Sequence, residues 1–261
     1  MKKNIYFFPL RMTVLMWALA LIVLLLFSSS TSKNTYDNNI LFVVDLSYSM
    51  NAKDMSSVEG KISRLEAAKK IISQTLAAWG EANYGLVVFS QTATQYIPLT
   101  TDTWTFLDYL KNVNTGLLPG GGTDRNSLEK IFSWNKSDYS KIIFISDAEK
   151  TDSQITDRGS RIEGRGTAKK YFIGVGTKEG GNPTLPNGTI MKLKQNTIIS
   201  SFDLWTATAI SKSLHAKLFP LENVNNLDSM IDEIVSSSPS FSRSQVQILI
   251  VVLWVFILLA L

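Results

Sequence analysis

The chain has 261 residues, of which 45% are apolar and 18% charged, and its formal net charge is +4. This composition supports a packed core and excludes a disordered chain. The basic residues are scattered, which argues against nucleic-acid binding. The absence of cysteine excludes disulfides, thiolate metal sites and a cysteine nucleophile. Because His215 is the only histidine, any metal site must consist mainly of oxygen ligands.

The N-terminal part of the chain combines a basic segment, a hydrophobic segment and a polar linker. Residues 1–11 carry three basic side chains, residues 12–28 are apolar, and residues 29–37 are mostly polar. This order fits either a transmembrane anchor or a signal peptide removed on export. We favour the anchor, because the linker offers serines and threonines where cleavage sites favour Ala-x-Ala. Positive charge before the first segment predicts a cytoplasmic N-terminus.

The C-terminal part of the chain contains a second hydrophobic segment. Residues 238–245 form a short linker, and residues 246–261 are uncharged, without the polar stripe of a buried amphipathic helix. We expect them to form a second transmembrane segment. The domain between the segments, residues 38–237, is then expected on the outer side of the membrane, which is the periplasmic side of the inner membrane if the cell is Gram-negative. Both interpretations of the N-terminus place it on that side.

Between these segments, apolar runs of strand length alternate with helical patterns. In chain order we predict a strand at NILFVVDLS, a helix at ISRLEAAKKIISQTLAAW, a hairpin of YGLVVFS with TATQYIPLT, and helices at DTWTFLDYLKNV and DRNSLEKIFSW. KIIFISD and KKYFIGVGT are predicted strands on either side of a weak helix, SQITDRGSRIEGRG. EGGNPTLPNGT is a turn-rich insertion, and a strand at AKLFPL separates helices at SFDLWTATAISKSLHA and VNNLDSMIDEIVSS. The alternation predicts an α/β fold, a doubly wound, mostly parallel sheet flanked by helices.

Short oxygen-bearing side chains follow the ends of two predicted strands. Asp45, Ser47 and Ser49 stand at alternate positions where the first strand ends, and Asp147 ends a later strand. The glycine-rich loop GLLPGGGTD carries Thr123. Because the carboxyl ends of parallel strands share one edge of a sheet, these two carboxylates and three hydroxyls are expected to meet there. Such a set suits a hard divalent cation, Mg²⁺ or Mn²⁺.

The same motifs, in the same order, resemble the von Willebrand factor A domain. The D-x-S-x-S motif that begins at Asp45, the Gly-Gly-Thr-Asp loop and the strand-ending Asp147 carry the resemblance. ISRLEAAKKII, YGLVVFSQTATQYIPLT, GGGTDRNSLEKIF and FIGVGTKEGG extend it over residues 38–221, in an order similar to the membrane-anchored bacterial Bat aerotolerance proteins. The resemblance implies a Rossmann-like fold with a metal-ion-dependent adhesion site.

The resemblance also implies a role for each candidate ligand. Ser47, Ser49 and Thr123 would bind the ion directly, while Asp45 and Asp147 would hold water molecules on the ion and supply negative charge.

One motif departs from the family pattern. The third motif commonly reads Thr-Asp-Gly, whereas here it reads Ser146-Asp147-Ala148, which retains the aspartate but replaces the glycine. The geometry of this loop is therefore open. Of the neighbouring acidic residues, Asp124 is expected to cap a helix and Glu149 to be a solvated loop residue.

The resemblance implies a binding module and not an enzyme. A Glu or Asp carboxylate of a protein partner would take the open position on the metal, in the assembly or stress tolerance of a bacterial envelope complex. The implied partners are envelope proteins, among them other von Willebrand factor A proteins. A MoxR-type AAA+ ATPase is implied as an association only, because it is cytoplasmic.

Two other functions are weighed against metal-bridged binding. The chain could be a scaffold whose metal site is structural or idle. It could also be a magnesium-dependent phosphotransferase of the haloacid-dehalogenase type, which uses an Asp-x-Asp motif. The second carboxylate of that motif is replaced here by Ser47, which is a poor proton donor or acceptor at neutral pH.

Overall fold

The structure is a computed structural model that describes residues 39–79, 82–120, 122–124, 139–149 and 168–236. The two predicted hydrophobic segments and their linkers lie outside the described residues, as do the helices predicted at SQITDRGSRIEGRG and, apart from its first residue, at DRNSLEKIFSW. Among the helices that the structure describes, none has the length and apolar character needed to cross a membrane.

A six-stranded sheet lies at the centre of the described domain. Its strands are β1 (Asn39–Asp45), β4 (Asn83–Phe89), β5 (Ala93–Thr100), β6 (Lys141–Ser146), β7 (Lys169–Val175) and β10 (Lys217–Leu221). Their order across the sheet is β10-β7-β6-β1-β4-β5, and all neighbours are parallel except the β4–β5 hairpin. The sheet confirms the predicted strands, the predicted hairpin and the mostly parallel architecture.

Helices cover both faces of this sheet. They are α1 (Arg64–Trp79), α2 (Thr103–Asn112), α3 (Leu204–Ser213) and α4 (Asp228–Ser236). Residues of β1 alternate between the two faces: Phe42 packs in a cluster with α1, α2 and α4, whereas Val43 packs in a cluster with α3. This arrangement confirms the doubly wound α/β class.

Two small hairpins lie in segments for which the sequence predicts no strand. The first consists of β2 (Met55–Ser57) and β3 (Gly60–Ile62), and the second consists of β8 (Lys192–Leu193) and β9 (Asn196–Thr197). Strands of two or three residues are too short to show an alternating pattern of apolar and polar residues.

Helix α1 has a clear start and a clear apolar face. Ser63 and Glu66 form a capping box, in which each side chain bonds the backbone N–H of the other residue, at 3.1 and 2.8 Å. Leu65, Ile72 and other apolar residues at helical spacing are buried. The capping box fixes the first turn of the helix, and this turn carries Arg64.

The strand order locates the edge where a ligand would bind. From β1 the sheet continues through β4 and β5 on one side and through β6, β7 and β10 on the other. Ligands of open α/β sheets bind at the carboxyl ends of strands where the order reverses in this way. The ends of β1 and β6 flank that point, and they carry Asp45 and Asp147.

Candidate metal centre

Asp45 is the last residue of β1 and is fully buried. Its Oδ1 accepts a hydrogen bond from the backbone N–H of Ser47 at 2.8 Å, and its Oδ2 accepts one from the hydroxyl of Ser146 at 2.7 Å. Burial and the negative charge of Asp147 raise the pKa of Asp45 to about 6, against the opposing effect of these hydrogen bonds. Asp45 is therefore a buried carboxylate that a nearby cation would stabilise.

Ser47 and Ser49 lie side by side directly after β1. A single 3-10 turn, Tyr48–Asn51, is closed by backbone hydrogen bonds from Met50 to Ser47 and from Ala52 to Ser49, both of 3.0 Å. Both serines are buried, and their hydroxyl oxygens are 2.9 Å apart. The alternate spacing of the motif thus brings two hydroxyls together at the end of the strand.

Asp147 follows β6, the strand next to β1, and is 1% exposed. The parallel register of the two strands places Ser146 beside Asp45 and Asp147 one residue beyond. Ala148 then adopts a left-handed backbone, with φ of 51°. Glycine adopts this conformation at the least cost, which explains its frequent use in the third motif. The loop retains that turn with alanine.

Thr123 is half-buried on the glycine-rich loop. The backbone N–H of Asp124 donates to the carbonyl of Ser90 at 2.7 Å, which ties this loop to the end of β4, the other neighbour of β1. Gly120 lets the loop pass close to Gln91, because a β-carbon there would lie 2.2 Å from the Gln91 side chain. Thr123 thus reaches the same sheet edge as the other four candidates. Within the described part of the chain, no hydrogen bond links it to them.

Glu149 is half-buried beside these residues and is not the solvated residue that the sequence suggests. Burial and the charge of Asp147 raise its pKa, while a hydrogen bond with Ser200, the charge of Arg64 and a hydrogen bond with Ser49 oppose the rise. Glu149 therefore contacts one of the candidate ligands, Ser49, from outside the predicted set.

Arg64 is a second residue of this site that the sequence analysis did not identify. It is fully buried, and its Nη1 donates to Oδ2 of Asp147 at 2.8 Å. It also forms a bidentate pair with Asp54, from Nε to Oδ1 at 3.0 Å and from Nη2 to Oδ2 at 2.7 Å. Although burial acts in the opposite direction, the guanidinium holds the pKa of Asp54 below its ordinary value.

The sequence contains one signal that could have identified Arg64. The residue lies on the buried face of α1, one turn before Ala67 and Ala68. It also occupies the first turn of the helix, where the helix dipole disfavours a positive charge. A cation on an apolar face at the wrong end of a helix requires a buried anionic partner.

The residues at this edge fit a hard divalent cation. All of the donors are oxygen, and Asp45 and Asp147 are buried carboxylates of like charge. The Ser90 hydroxyl at the end of β4 is buried without a hydrogen-bond partner among the described residues, which leaves a further oxygen donor at this edge. The described residues contain no cluster of three Asp, Glu, His or Cys side chains that could hold a metal. The predicted site is consistent with this, because it contains only two carboxylates and its other donors are hydroxyl groups.

The fold and this edge define the class of the protein. A doubly wound, mostly parallel sheet with a polar cluster at its switch point is an α/β domain of the Rossmann-like fold class. Residues 40–149 match the family model of the von Willebrand factor type A domain. This match confirms the resemblance drawn from the motifs. The matched range includes all five candidate ligands, although metal binding by them stays a prediction.

Solved structures with the same fold come from Bacteroides. The conserved hypothetical protein BatB of Bacteroides thetaiotaomicron is 21% identical, with a TM-score of 0.62 over 76% of this chain and 96% of that chain. An aerotolerance-related membrane protein of Bacteroides fragilis is 20% identical, with a TM-score of 0.62 over 77% of this chain and 98% of that chain. At these identities the likeness establishes the fold. A comparison with curated protein sequences gave no match.

Proposed function

We propose that this chain is a membrane-anchored interaction module that binds a protein partner through a divalent cation, Mg²⁺ or Mn²⁺. The observation that carries the proposal is the pair of buried carboxylates, Asp45 and Asp147, at the edge where two hydroxyls lie 2.9 Å apart. A Glu or Asp carboxylate of the partner completes the coordination shell. It is attracted because neutral hydroxyl ligands leave much of the charge of the ion uncompensated.

In this proposal the five residues have two different roles at the ion. Ser47, Ser49 and Thr123 offer hydroxyl oxygens to the ion directly. Asp45 and Asp147 hold metal-bound water and supply the negative charge that attracts the cation. Burial supports this division, because it excludes bulk water and strengthens the attraction between the carboxylates and the ion.

The ends of the described domain lie at the edge of the sheet opposite the candidate site. The backbone N–H and the hydroxyl of Ser140 both donate to the carbonyl of Asn39, at 2.9 and 3.0 Å. Lys141 Nζ donates to the carbonyl of Ile234, at 2.7 Å. The start of β1 and the end of α4 thus lie at the amino edge of the sheet, opposite the candidate site.

We further propose the outer, periplasmic face of a bacterial inner membrane as the location and an envelope complex as the setting. The hydrophobic segments at residues 12–28 and 246–261 support the membrane assignment. The name of the Bacteroides fragilis relative, an aerotolerance-related membrane protein, supports a role in stress tolerance. The partners would be other envelope proteins, including further von Willebrand factor A proteins, with a MoxR-type ATPase as a functional association.

Partner capture tests the bridging mechanism. Detergent-solubilised full-length protein serves as bait for membrane extract of its own cell, first in Mg²⁺ and then in EDTA, with Asp45→Ala in parallel. We expect a partner that is retained only with Mg²⁺ and with intact Asp45, at least about tenfold above either comparison. Circular dichroism establishes that the variant is folded. Capture that is indifferent to both the metal and the substitution contradicts metal bridging.

Metal binding by the full-length protein tests the site without the partner. We expect Mn²⁺ to bind the wild type and to bind Ser47→Ala about tenfold or more weakly, because a direct ligand is lost. Ser73→Ala, which removes a hydroxyl on α1 that bonds only its own helix at the carbonyl of Lys69, is the matched control and should bind as the wild type does. Equal affinities for all three proteins contradict the assigned ligands.

A scaffold with a structural or idle metal site is the second candidate function. The contact of Arg64 with Asp147 favours it, because this cation already stabilises one carboxylate of the site. A scaffold predicts that Ser47→Ala and Thr123→Ala leave partner capture unchanged. The phosphotransferase alternative predicts Mg²⁺-dependent hydrolysis of a generic phosphate ester, and we expect none.

A further inference from the structure

The two ends of the segment formed by residues 177–200 are held by one buried ion pair. Ser200 accepts two hydrogen bonds from Arg64, at Oγ from Nη1 and at the carbonyl from Nη2, both of 2.8 Å. Thr177 donates to Oδ2 of Asp54 through its backbone N–H at 3.0 Å and through its hydroxyl at 3.2 Å. Since Arg64 and Asp54 also bond each other, they clamp the beginning and the end of the segment together.

The base of the segment is closely packed around this clamp. Gly181 and Ser200 exchange two backbone hydrogen bonds of 2.9 Å. Gly180, with φ of 75°, lies so near that a β-carbon there would be 2.2 Å from the carbonyl oxygen of Ser200. Gly176, with φ of 137°, would place a β-carbon 3.0 Å from Nε of Arg64. Movement of Arg64 therefore requires movement of the backbone at the base of the segment.

The same clamp touches the candidate metal site at two points. The first is the 2.8 Å contact between Nη1 of Arg64 and Oδ2 of Asp147. The second runs from Ser200 to Glu149, whose carboxylate also interacts with the hydroxyl of Ser49. Two of the five candidate ligands thus share hydrogen-bond partners with the base of the segment.

We propose that Arg64 is a positioning residue that couples occupancy of the metal site to the order of the 177–200 segment. It fixes Asp147 through Oδ2, so that the orientation of this carboxylate and the conformation of the segment depend on one side chain. Coupling of this kind is reciprocal: if the ion favours the clamped state by a given factor, the clamped state binds the ion more tightly by that factor. Weakening the clamp therefore lowers the affinity for the ion. This inference rests on the proposed metal site.

The hydrogen-bond geometry requires arginine in particular. Its guanidinium makes five hydrogen bonds, two to Asp54, two to Ser200 and one to Asp147, which matches its five N–H groups. Lysine has the same charge but only three donors on a single nitrogen, and it cannot reach these three residues in the same plane. Arg64→Lys therefore keeps the positive charge that neutralises the carboxylates but loses the hydrogen bonds that position them.

Two measurements on full-length protein in detergent test the coupling. Mn²⁺ affinity is obtained by calorimetric titration, and hydrogen exchange of residues 177–200 is followed with and without Mn²⁺. In the wild type we expect Mn²⁺ to slow exchange in this segment. In Arg64→Lys we expect the affinity to fall about tenfold or more and the effect of Mn²⁺ on exchange to disappear. Lys70→Gln, which removes a surface ion pair between this lysine of α1 and Glu59 in the β2–β3 turn, should match the wild type.

Ser200→Ala provides the second variant, because it keeps Arg64, Asp54 and all candidate ligands. We expect it to lose less Mn²⁺ affinity than Arg64→Lys does. We also expect Mn²⁺ to slow exchange in the segment less than it does in the wild type. If circular dichroism shows that Arg64→Lys does not fold, the result for Ser200→Ala alone tests the coupling. The coupling is overturned if the folded variants bind Mn²⁺ as tightly as the wild type and Mn²⁺ slows exchange in the segment to the same extent. This holds even if the variants have lower melting temperatures. Failure of the wild type to bind Mn²⁺ instead refutes the proposed metal site.

Discussion

At the scale of single residues, the two buried aspartates of the site have different surroundings. Asp147 forms an ion pair with Arg64, whereas the described hydrogen bonds to Asp45 come from neutral donors of Ser47 and Ser146. Burial and the charge of Asp147 therefore raise the pKa of Asp45 to about 6. Asp45 therefore bears an electrostatic cost in its ionised form, and a bound cation would relieve it.

The raised pKa predicts how stability depends on pH in EDTA. The folded protein binds the Asp45 proton more tightly than the unfolded chain, so this residue favours folding below pH 4 and loses that contribution as the pH rises through 6. A rise from 3.8 to about 6 corresponds to roughly 3 kcal/mol. We expect the free energy of unfolding of the wild type to fall by up to that amount, relative to Asp45→Asn, between pH 4 and pH 7.

Urea unfolding of both proteins at the two pH values measures this difference. Mn²⁺ should restore the stability of the wild type at pH 7 and leave Asp45→Asn unchanged, because the ion binds the ionised carboxylate. Parallel pH profiles of the two proteins in EDTA would contradict the electrostatic account of the site.

Ala148 gives a second prediction at this scale. Its left-handed backbone costs about 1–2 kcal/mol for a residue with a β-carbon. Ala148→Gly removes that cost but increases the entropy of the unfolded chain by roughly 0.5–1 kcal/mol and loses a buried methyl group. We expect thermal denaturation to show a stability change of less than about 1 kcal/mol in either direction, with Mn²⁺ affinity retained. A loss of Mn²⁺ affinity would show that the site requires the methyl group.

At the scale of secondary-structure elements, one lysine joins β6, α4 and α1 at the amino edge. Lys141 is 2% exposed, and its Nζ donates to the carbonyl of Ile234 near the C-terminal end of α4. The same Nζ lies 3.8 Å from the ring centroid of Trp79, the last residue of α1. Carbonyl groups at a helix C-terminus and an aromatic face both favour a cation. Burial and the charge of Lys169 outweigh them and lower the pKa of Lys141 to about 7.

This lysine predicts a pH dependence of the opposite sign. Between pH 7 and 10.5 the unfolded chain holds the Lys141 proton more tightly than the folded protein, so stability rises with pH across that window. We expect the melting temperature of the wild type, relative to that of Lys141→Met, to increase between pH 6.5 and pH 9.5. Lys70→Met, at a half-buried surface site on α1, should show no such trend relative to the wild type. A constant difference between wild type and Lys141→Met would contradict the lowered pKa.

At the scale of the whole molecule, the fold separates the two ends of the described domain from the candidate site. Asn39 and Ile234 lie at the amino edge of the sheet, and Asp45 and Asp147 lie at the carboxyl edge. A parallel sheet enforces this separation, because all of its parallel strands point the same way. The candidate site therefore lies at the edge of the sheet opposite the ends of the described domain.

Cysteine labelling tests the sidedness, because the natural chain contains no cysteine. Gln195→Cys places a thiol at the tip of the exposed β8–β9 hairpin. We expect a membrane-impermeant maleimide to label it in intact spheroplasts. Lys3→Cys, in the basic N-terminal segment, should react only after permeabilisation, and its labelling would also show that the segment is retained. Protection of Gln195→Cys in intact spheroplasts would contradict the periplasmic location.

The sequence by itself determined the class of the fold and the position of the candidate ligands along the chain. Buried strands such as β1 are continuous apolar runs, and α1 repeats its apolar residues at helical spacing, so both are recognisable locally. Asp45 and Asp147 end such strands, and parallel strands share a carboxyl edge, so their meeting could be predicted without coordinates. The match of residues 40–149 to the von Willebrand factor type A domain agrees with this interpretation.

The tertiary structure decided how the site is supported. Arg64 bonds Asp147, 83 positions further along the chain, and Ser200, 136 positions further, and no local pattern encodes either pairing. The burial of Glu149 and the left-handed turn at Ala148 likewise depend on neighbours from other elements. Periodicity reports which face of an element is apolar. Only packing brings side chains that are distant in sequence within hydrogen-bonding distance. For this reason only the folded chain shows that Arg64 bonds both a candidate metal ligand and the base of the 177–200 segment.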